Sequence, residues 1–259
     1  MLYTEHDFMD RFAAAANDGF AGVEYLFPYA YAKSELAQRL KANRLQQVLF
    51  NLPAGDWAAG ERGIACHPGR VAEFKAGVAQ AIAYADALGC HQVNCLAGKV
   101  PPGVTSASAH DTFATNVRYA ARELERAGVL LLIEPVNTQD IPGFFLSRSA
   151  HALEIIDEVA SPNLKLQYDI YHMQRTEGEL AATLEKNLER IAHIQLADNP
   201  GRHEPGTGEI NYPFLFAHLD RIGYTGWVGC EYLPLGKTED GLGWFKSARR
   251  PAVAAESLR

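Results

Sequence analysis

Two kinds of stretch alternate along the chain: short runs apolar at consecutive positions, and longer runs in which apolar residues return every three or four. The clearest short run is Leu130-Leu131-Leu132-Ile133, followed at once by Glu134, Pro135, Val136 and Asn137. A run apolar at successive positions meets hydrocarbon on both faces, as a parallel strand inside an α/β fold must. Pro135, which has no N–H to give to a ladder, marks its end. Similar runs lie at Ala21–Phe27, Leu45–Asn51, His91–Ala97, Leu164–Asp169, Ala192–Asp198 and Gly226–Tyr232. Helical spacing between them predicts helices over His6–Asn17, Lys33–Ala42, Arg70–Leu88, Ser106–Arg126, Ser147–Val159, Gly178–Arg190 and Pro213–Ile222, with Gly19, Gly89 and Gly128 as stops. One helical segment thus separates each neighbouring pair of strands. The alanine-rich end after Pro251 reads as a helix remnant or a frayed tail.

Such alternation suits a doubly wound sheet or a barrel. A doubly wound sheet gathers its ligand at one switch point, often with a glycine-rich phosphate turn after the first strand, and no GxGxxG is present. The expected fold is therefore α/β, a TIM (β/α)8-type barrel formed by residues 1–259 as a single domain. Seven strands are found where eight close the ring. The chain opens on the helix that follows a barrel's first strand, so that strand is expected to be the absent one. The strands near Glu24 and Cys230 would then lack their common neighbour, and a gap or exposed edge should lie between them.

Composition narrows the partners. The 259 residues are 47% hydrophobic and 21% charged, as in an ordinary globular chain, and the formal charge of −7 argues against a nucleic-acid backbone as ligand. Cys66, Cys90, Cys95 and Cys230 form no CxxC pair and read as reduced thiols of a cytoplasmic protein. No basic-then-apolar leader follows Met1, and no run approaches the roughly 20 apolar residues that span a bilayer, so no membrane partner is expected. A small-molecule substrate is expected, and a homo-oligomer is left open.

The chemistry lies at the strand ends. Glu134, Asp169, Gln195 and Glu231 each stand late in a predicted strand, spaced by about one βα unit, and a parallel barrel opens all such ends on one face. Two glutamates, an aspartate and a glutamine offer hard oxygen donors, which suit Mg²⁺ or Mn²⁺ better than a Cys- or His-rich zinc set does. Glu134 and Glu231, counted as four strands apart, are expected to face each other across the mouth. His172, just past the Asp169 strand in a loop, is placed to reach the same pocket. His193 shares the inward face of Gln195, either as a group orienting a ligand or as packed barrel core. Arg202 and His203 occupy a long polar loop, with Arg202 the candidate for an anionic substrate group; Lys99 reads as solvated. The aperiodic, glycine-rich loop from Leu52 to Gly63, which carries Trp57, reads as a lid or substrate contact.

At Leu131–Asn137, Gln167–His172, Gly206–Asn211 and Gly229–Tyr232 the chain resembles the xylose-isomerase-like barrel superfamily. In the loop from Asn51 to Gly63 and in Tyr168–Gln174 it is similar to hydroxypyruvate isomerases. Members of that family carry a further strand before the position of Met1. The resemblance implies a metal-dependent isomerase of glyoxylate and carbohydrate metabolism that interconverts hydroxypyruvate and 2-hydroxy-3-oxopropanoate (tartronate semialdehyde) through an enediolate. It implies a divalent ion, Mg²⁺ or Mn²⁺, held by Glu134, Asp169, Gln195 and Glu231, with Glu134 and Glu231 also exchanging protons with the substrate. His172 and Arg202 would bind substrate oxygens. A ketose 3-epimerase or other sugar isomerase of the superfamily would use the same machinery. A DNA-repair endonuclease on this barrel would need more histidines and a basic face.

Overall fold

A computed structural model describes residues 1–248; the segment after Pro251 lies outside them. Among the described residues seven strands form in chain order: β1 (Gly22–Glu24), β2 (Gln46–Leu49), β3 (Gln92–Cys95), β4 (Leu130–Ile133), β5 (Leu164–Asp169), β6 (Ile191–Leu196) and β7 (Trp227–Cys230). β1 pairs with β2, and β3 to β7 form a second ladder in sequence order, every pairing being parallel. The two ladders meet beyond the end of β2. There Asn51 bridges Asn94, the Asn94 N–H donates to the Phe50 carbonyl at 3.0 Å, and the Leu52 N–H to the Asn94 carbonyl at 2.8 Å.

The pleat sorts the apolar runs into two layers. In β4, Leu131 and Ile133 join the large core beneath the helices, while Leu132 packs with Val48 and Leu49 in the barrel interior. All three are fully buried. The helix Ser106–Arg126 shows how the outer layer is made. Ala109, Phe113, Val117, Ala120 and Leu124 recur at three- and four-residue spacing on its buried face, and Thr105 caps it by accepting the Ser108 N–H. No helix among the described residues is long and apolar enough to cross a membrane.

Among the described residues the ring is open at one seam, between β1 and β7. β1 and β7 are only partly buried, and between them lies a cavity of about 540 Å³ lined mainly by apolar side chains, among them Val23, Phe216, Leu219 and Val228. Side chains span the seam where a strand would otherwise pair. Glu24 crosses to β7 so closely that a Cβ on Gly229 would lie 2.2 Å from its carboxylate, and Trp227 packs against Gly22.

Two expectations need correction. Between β5 and β6 the chain forms two α-helices, Ile170–Thr176 and Leu180–Lys186, where one was predicted. His172 therefore stands in a helical first turn and not in a loop. The cause is Asp169, whose carboxylate accepts the Tyr171 and His172 N–H groups and caps a helix immediately after the strand. The four cysteines are free thiols, but Cys230 is half-buried because its strand borders the seam.

The Leu52–Gly63 loop is pinned at its end by a backbone fit. Gly63 has φ +114°, and a Cβ there would lie 2.3 Å from the Leu96 carbonyl oxygen; Gly60, at φ +89°, has open space. Both pay the cost of positive φ on substitution, and only Gly63 adds a backbone clash. Urea unfolding should show Gly60→Ala destabilised by about 1 kcal/mol and Gly63→Ala by about 3 kcal/mol or more. Equal losses would mean that the loop does not rest on the Leu96 backbone.

Candidate active site

Side chains two apart on a strand share a face, so the inward position of Leu132 carries Glu134 inward. Gln167 and Asp169 at the end of β5 face a single cavity with Gln195 of β6 and Glu231 just past β7. The cavity holds about 490 Å³, and Arg202, His172, Trp57 and Arg62 also line it. One ligand atom each from Glu134, Asp169, His172 and Glu231 lies within 4.8 Å of all the others. β4 and β7 are three strands apart, not four, which is why the two glutamates approach so closely.

Each group is fixed by specific bonds. Asn94 Nδ2 donates to Glu134 Oε2 at 2.9 Å and to Asn51 Oδ1 at 3.0 Å. Asp169 spends Oδ1 on its helix cap, so the buried Oδ2 is left with no hydrogen-bond partner among the described residues. Arg202 Nη2 lies 2.8 Å from Glu231 Oε2 and 4.0 Å from Asp169 Oδ2. Arg202 is placed by Asp198, which ends the β6 segment and accepts N–H groups from Asn199, Gly206, Gly208 and Ile210, folding the polar loop over the mouth. His203 turns away, its Nδ1 on the Leu233 carbonyl. Lys99 Nζ donates to the Gly60 carbonyl.

Gln195 sits in a chain of contacts across the barrel. Its Oε1 accepts from Gln167 Nε2 at 2.6 Å and its Nε2 donates to Glu24 Oε1 at 2.8 Å; Glu24 Oε2 in turn lies 2.7 Å from His193 Nε2. His193 thus orients Gln195 through Glu24. His172 is held by Asn137, whose Oδ1 accepts the Asp140 N–H and whose Nδ2 is thereby turned to His172 Nδ1 at 2.7 Å. His172 Nε2 lies 3.8 Å from Asp169 Oδ2 and 3.4 Å from Arg202 Nη2, a nitrogen that can only donate.

Burial is the largest force on the acids. It raises the Glu134 carboxyl well above the ordinary range, and the neighbouring Glu231 and Asp169 charges push it further. Burial also raises Asp169 and Glu231, with Arg202 opposing. Burial and then the Arg202 charge lower His172 to about 3, so it stays neutral. In Glu24, burial is outweighed by His193 and the Gln195 amide, and its carboxyl is held below the usual value. Three crowded carboxylates, two buried and Glu231 half-buried, an aspartate oxygen without a donor and one imidazole beside them together fit a divalent cation.

The model of the xylose isomerase-like TIM barrel family matches residues 12–248. The hydroxypyruvate isomerase of Escherichia coli K12 is 56% identical over 249 residues, 96% of each chain, and a 2-oxo-tetronate isomerase of Cupriavidus necator is 50% identical over 95% of each. The chain belongs to the hydroxypyruvate isomerase family. It is an isomerase on a TIM barrel. A solved structure from Brucella melitensis, described as an AP endonuclease of family 2, superposes with a TM-score of 0.93 at 45% identity, covering 96% of both chains.

Members of the family thus share this barrel, and in this chain it gathers every predicted site residue, Glu134, Asp169, His172, Gln195, Arg202 and Glu231, around one cavity. Sequence reasoning passed over Glu24, Asn94 and Gln167, although Glu24 and Asn94 carry the same signal, a polar group late in a buried strand. The raised carboxyls set a sign for stability. Their protons are held more tightly in the folded state, so they favour folding below the ordinary carboxylate range, and that contribution is lost as pH rises through the raised values. In chelator, the melting temperature of Glu134→Gln should therefore gain on the parent protein as pH rises from about 5 to 8. A difference independent of pH would show that Glu134 is not strained by its neighbours.

Proposed function

We propose that the chain interconverts hydroxypyruvate and 2-hydroxy-3-oxopropanoate by proton transfer between adjacent carbons. The observation that carries this reading is the pair of carboxylates, buried Glu134 and half-buried Glu231, brought within 4.8 Å of each other in one cavity. Such a pair serves a reaction in which one base removes a proton from the hydroxyl-bearing carbon and the other returns one to its neighbour. The enediolate between the two steps is flat and suits a slot between them. His172 Nε2 and the Arg202 guanidinium face the substrate oxygens, between which the hydroxyl proton passes directly.

Glu134, Asp169, Gln195 and Glu231 would hold the ion, Mg²⁺ or Mn²⁺, which when bound supplies Lewis-acid stabilisation of the enediolate charge. The ion also lowers the cost of keeping the glutamates ionised, as bases must be. The sugar 3-epimerase reading shares all of this and differs only in substrate. For the endonuclease reading, the acid cluster contains a single histidine, too few for a multi-zinc centre.

Purified protein should isomerise hydroxypyruvate with Mg²⁺ or Mn²⁺ and lose the activity in chelator. In deuterated water the product should carry deuterium on carbon, because the proton rests on a carboxylate that exchanges with solvent. Glu134→Gln and Glu231→Gln should each lower kcat by about 10²–10⁴-fold, and Asp169→Ala should weaken ion binding in calorimetry. Turnover of neutral ketoses alone would replace this reading with the epimerase one, and product free of solvent deuterium would exclude the two-base route.

A further inference from the structure

Two arginines line the cavity, and they are committed differently. Arg202 Nη2 bonds Glu231 and faces Asp169, so its charge is taken up by the acid cluster. Arg62 meets no carboxylate within 4 Å among the described residues. Its recorded hydrogen bonds run from Nη1 to the backbone carbonyls of Trp57 (3.1 Å) and Glu61 (2.7 Å), and its Cζ lies over the Trp57 ring at 4.1 Å. A planar cation stacked on indole, with Nε and Nη2 left to donate, is built to receive an anion that has two oxygens in one plane.

The loop holds this cation in place. Glu61 pairs with Arg70 and accepts the Asp56 N–H, Lys99 Nζ donates to the Gly60 carbonyl at 3.1 Å, and Trp57 packs edge-on against Phe27 at 5.1 Å. Trp57 and Arg62 together make a wall of the cavity that also contains Glu134 and Glu231. A substrate with its reacting carbons between the two glutamates needs a cation for its carboxylate. That cation must stay clear of the acids, or it would be neutralised by them.

We propose that Arg62 takes the carboxylate of the substrate, so that the Trp57 loop selects short 2-oxo acids over neutral ketoses of the same length. This rests on the isomerase reading for its substrate class, while the anion site itself is testable without turnover. Glycerate, which has the carboxylate and hydroxyls but no carbonyl to isomerise, and its neutral amide serve as probes in calorimetry with Mg²⁺ present. Arg62→Gln should weaken glycerate binding about tenfold or more and leave the amide unchanged, and Arg62→Lys should recover part of the loss. The KM for hydroxypyruvate should rise in parallel, with kcat nearly constant. Glycerate binding unchanged in an Arg62→Gln protein that melts like the parent, or no glycerate binding by the parent, would overturn the proposal. Should Arg62→Gln fail to fold, Arg62→Lys binding glycerate as tightly as the parent would do the same. Arg62-dependent glycerate binding without isomerisation of any acid would instead leave the anion site standing and remove the isomerase reading.

Discussion

Repulsion among three crowded carboxylates organises the mouth of this barrel. Glu134, Asp169 and Glu231 crowd within a few ångströms, and Arg202 is the cation bonded among them. Left in a low-dielectric pocket, such charges would protonate or move apart. The fold prevents movement by fixing each one separately: Glu134 through Asn94, Asp169 through the helix it caps, and Glu231 through Arg202. What the protein keeps there is a cluster of acidic residues and a histidine that could bind a metal ion, its positions fixed during folding.

The same economy of position explains why the open seam is tolerated. Strands β3 to β7 carry most of the site, and their ladder is continuous. β1 contributes Glu24, which bonds Gln195, lies 2.7 Å from His193 and crosses the seam toward Gly229. The seam is thus bridged by a polar contact at its mouth and by apolar packing below it. The site depends on the first of these more than on a complete ring of backbone hydrogen bonds.

On the proposed reading, specificity has a different origin from catalysis. The acids stand on strand ends, whose positions the pleat fixes, whereas Arg202 and Arg62 stand on long loops held by side-chain bonds, Asp198 for one and Glu61 with Arg70 for the other. Loops of this kind can change sequence without disturbing the barrel. That division suits a family in which close relatives carry different substrate names on one fold.

Much of this was legible in the sequence because the relevant physics is local. Apolar runs ending in an acid or amide reveal a buried parallel strand and its open end, and period-two alternation tells which of Glu134, Asp169, Gln195 and Glu231 turn inward. Helix spacing and glycine stops gave the alternation that names the barrel, and the start of the chain on a helix foretold the seam. Through-space pairings were beyond that reach. That Asn94 serves Glu134, that Glu24 reaches Gln195 from 171 positions away, and that Arg202 meets Glu231 are consequences of strands closing into a ring. His172 was misplaced by one element because capping by Asp169 depends on how a single carboxylate turns. Arg62 lies in a stretch without periodicity, where residue spacing carries no direction, and only the packing of Trp57 and the fit of Gly63 against the Leu96 backbone decide that it faces the cavity.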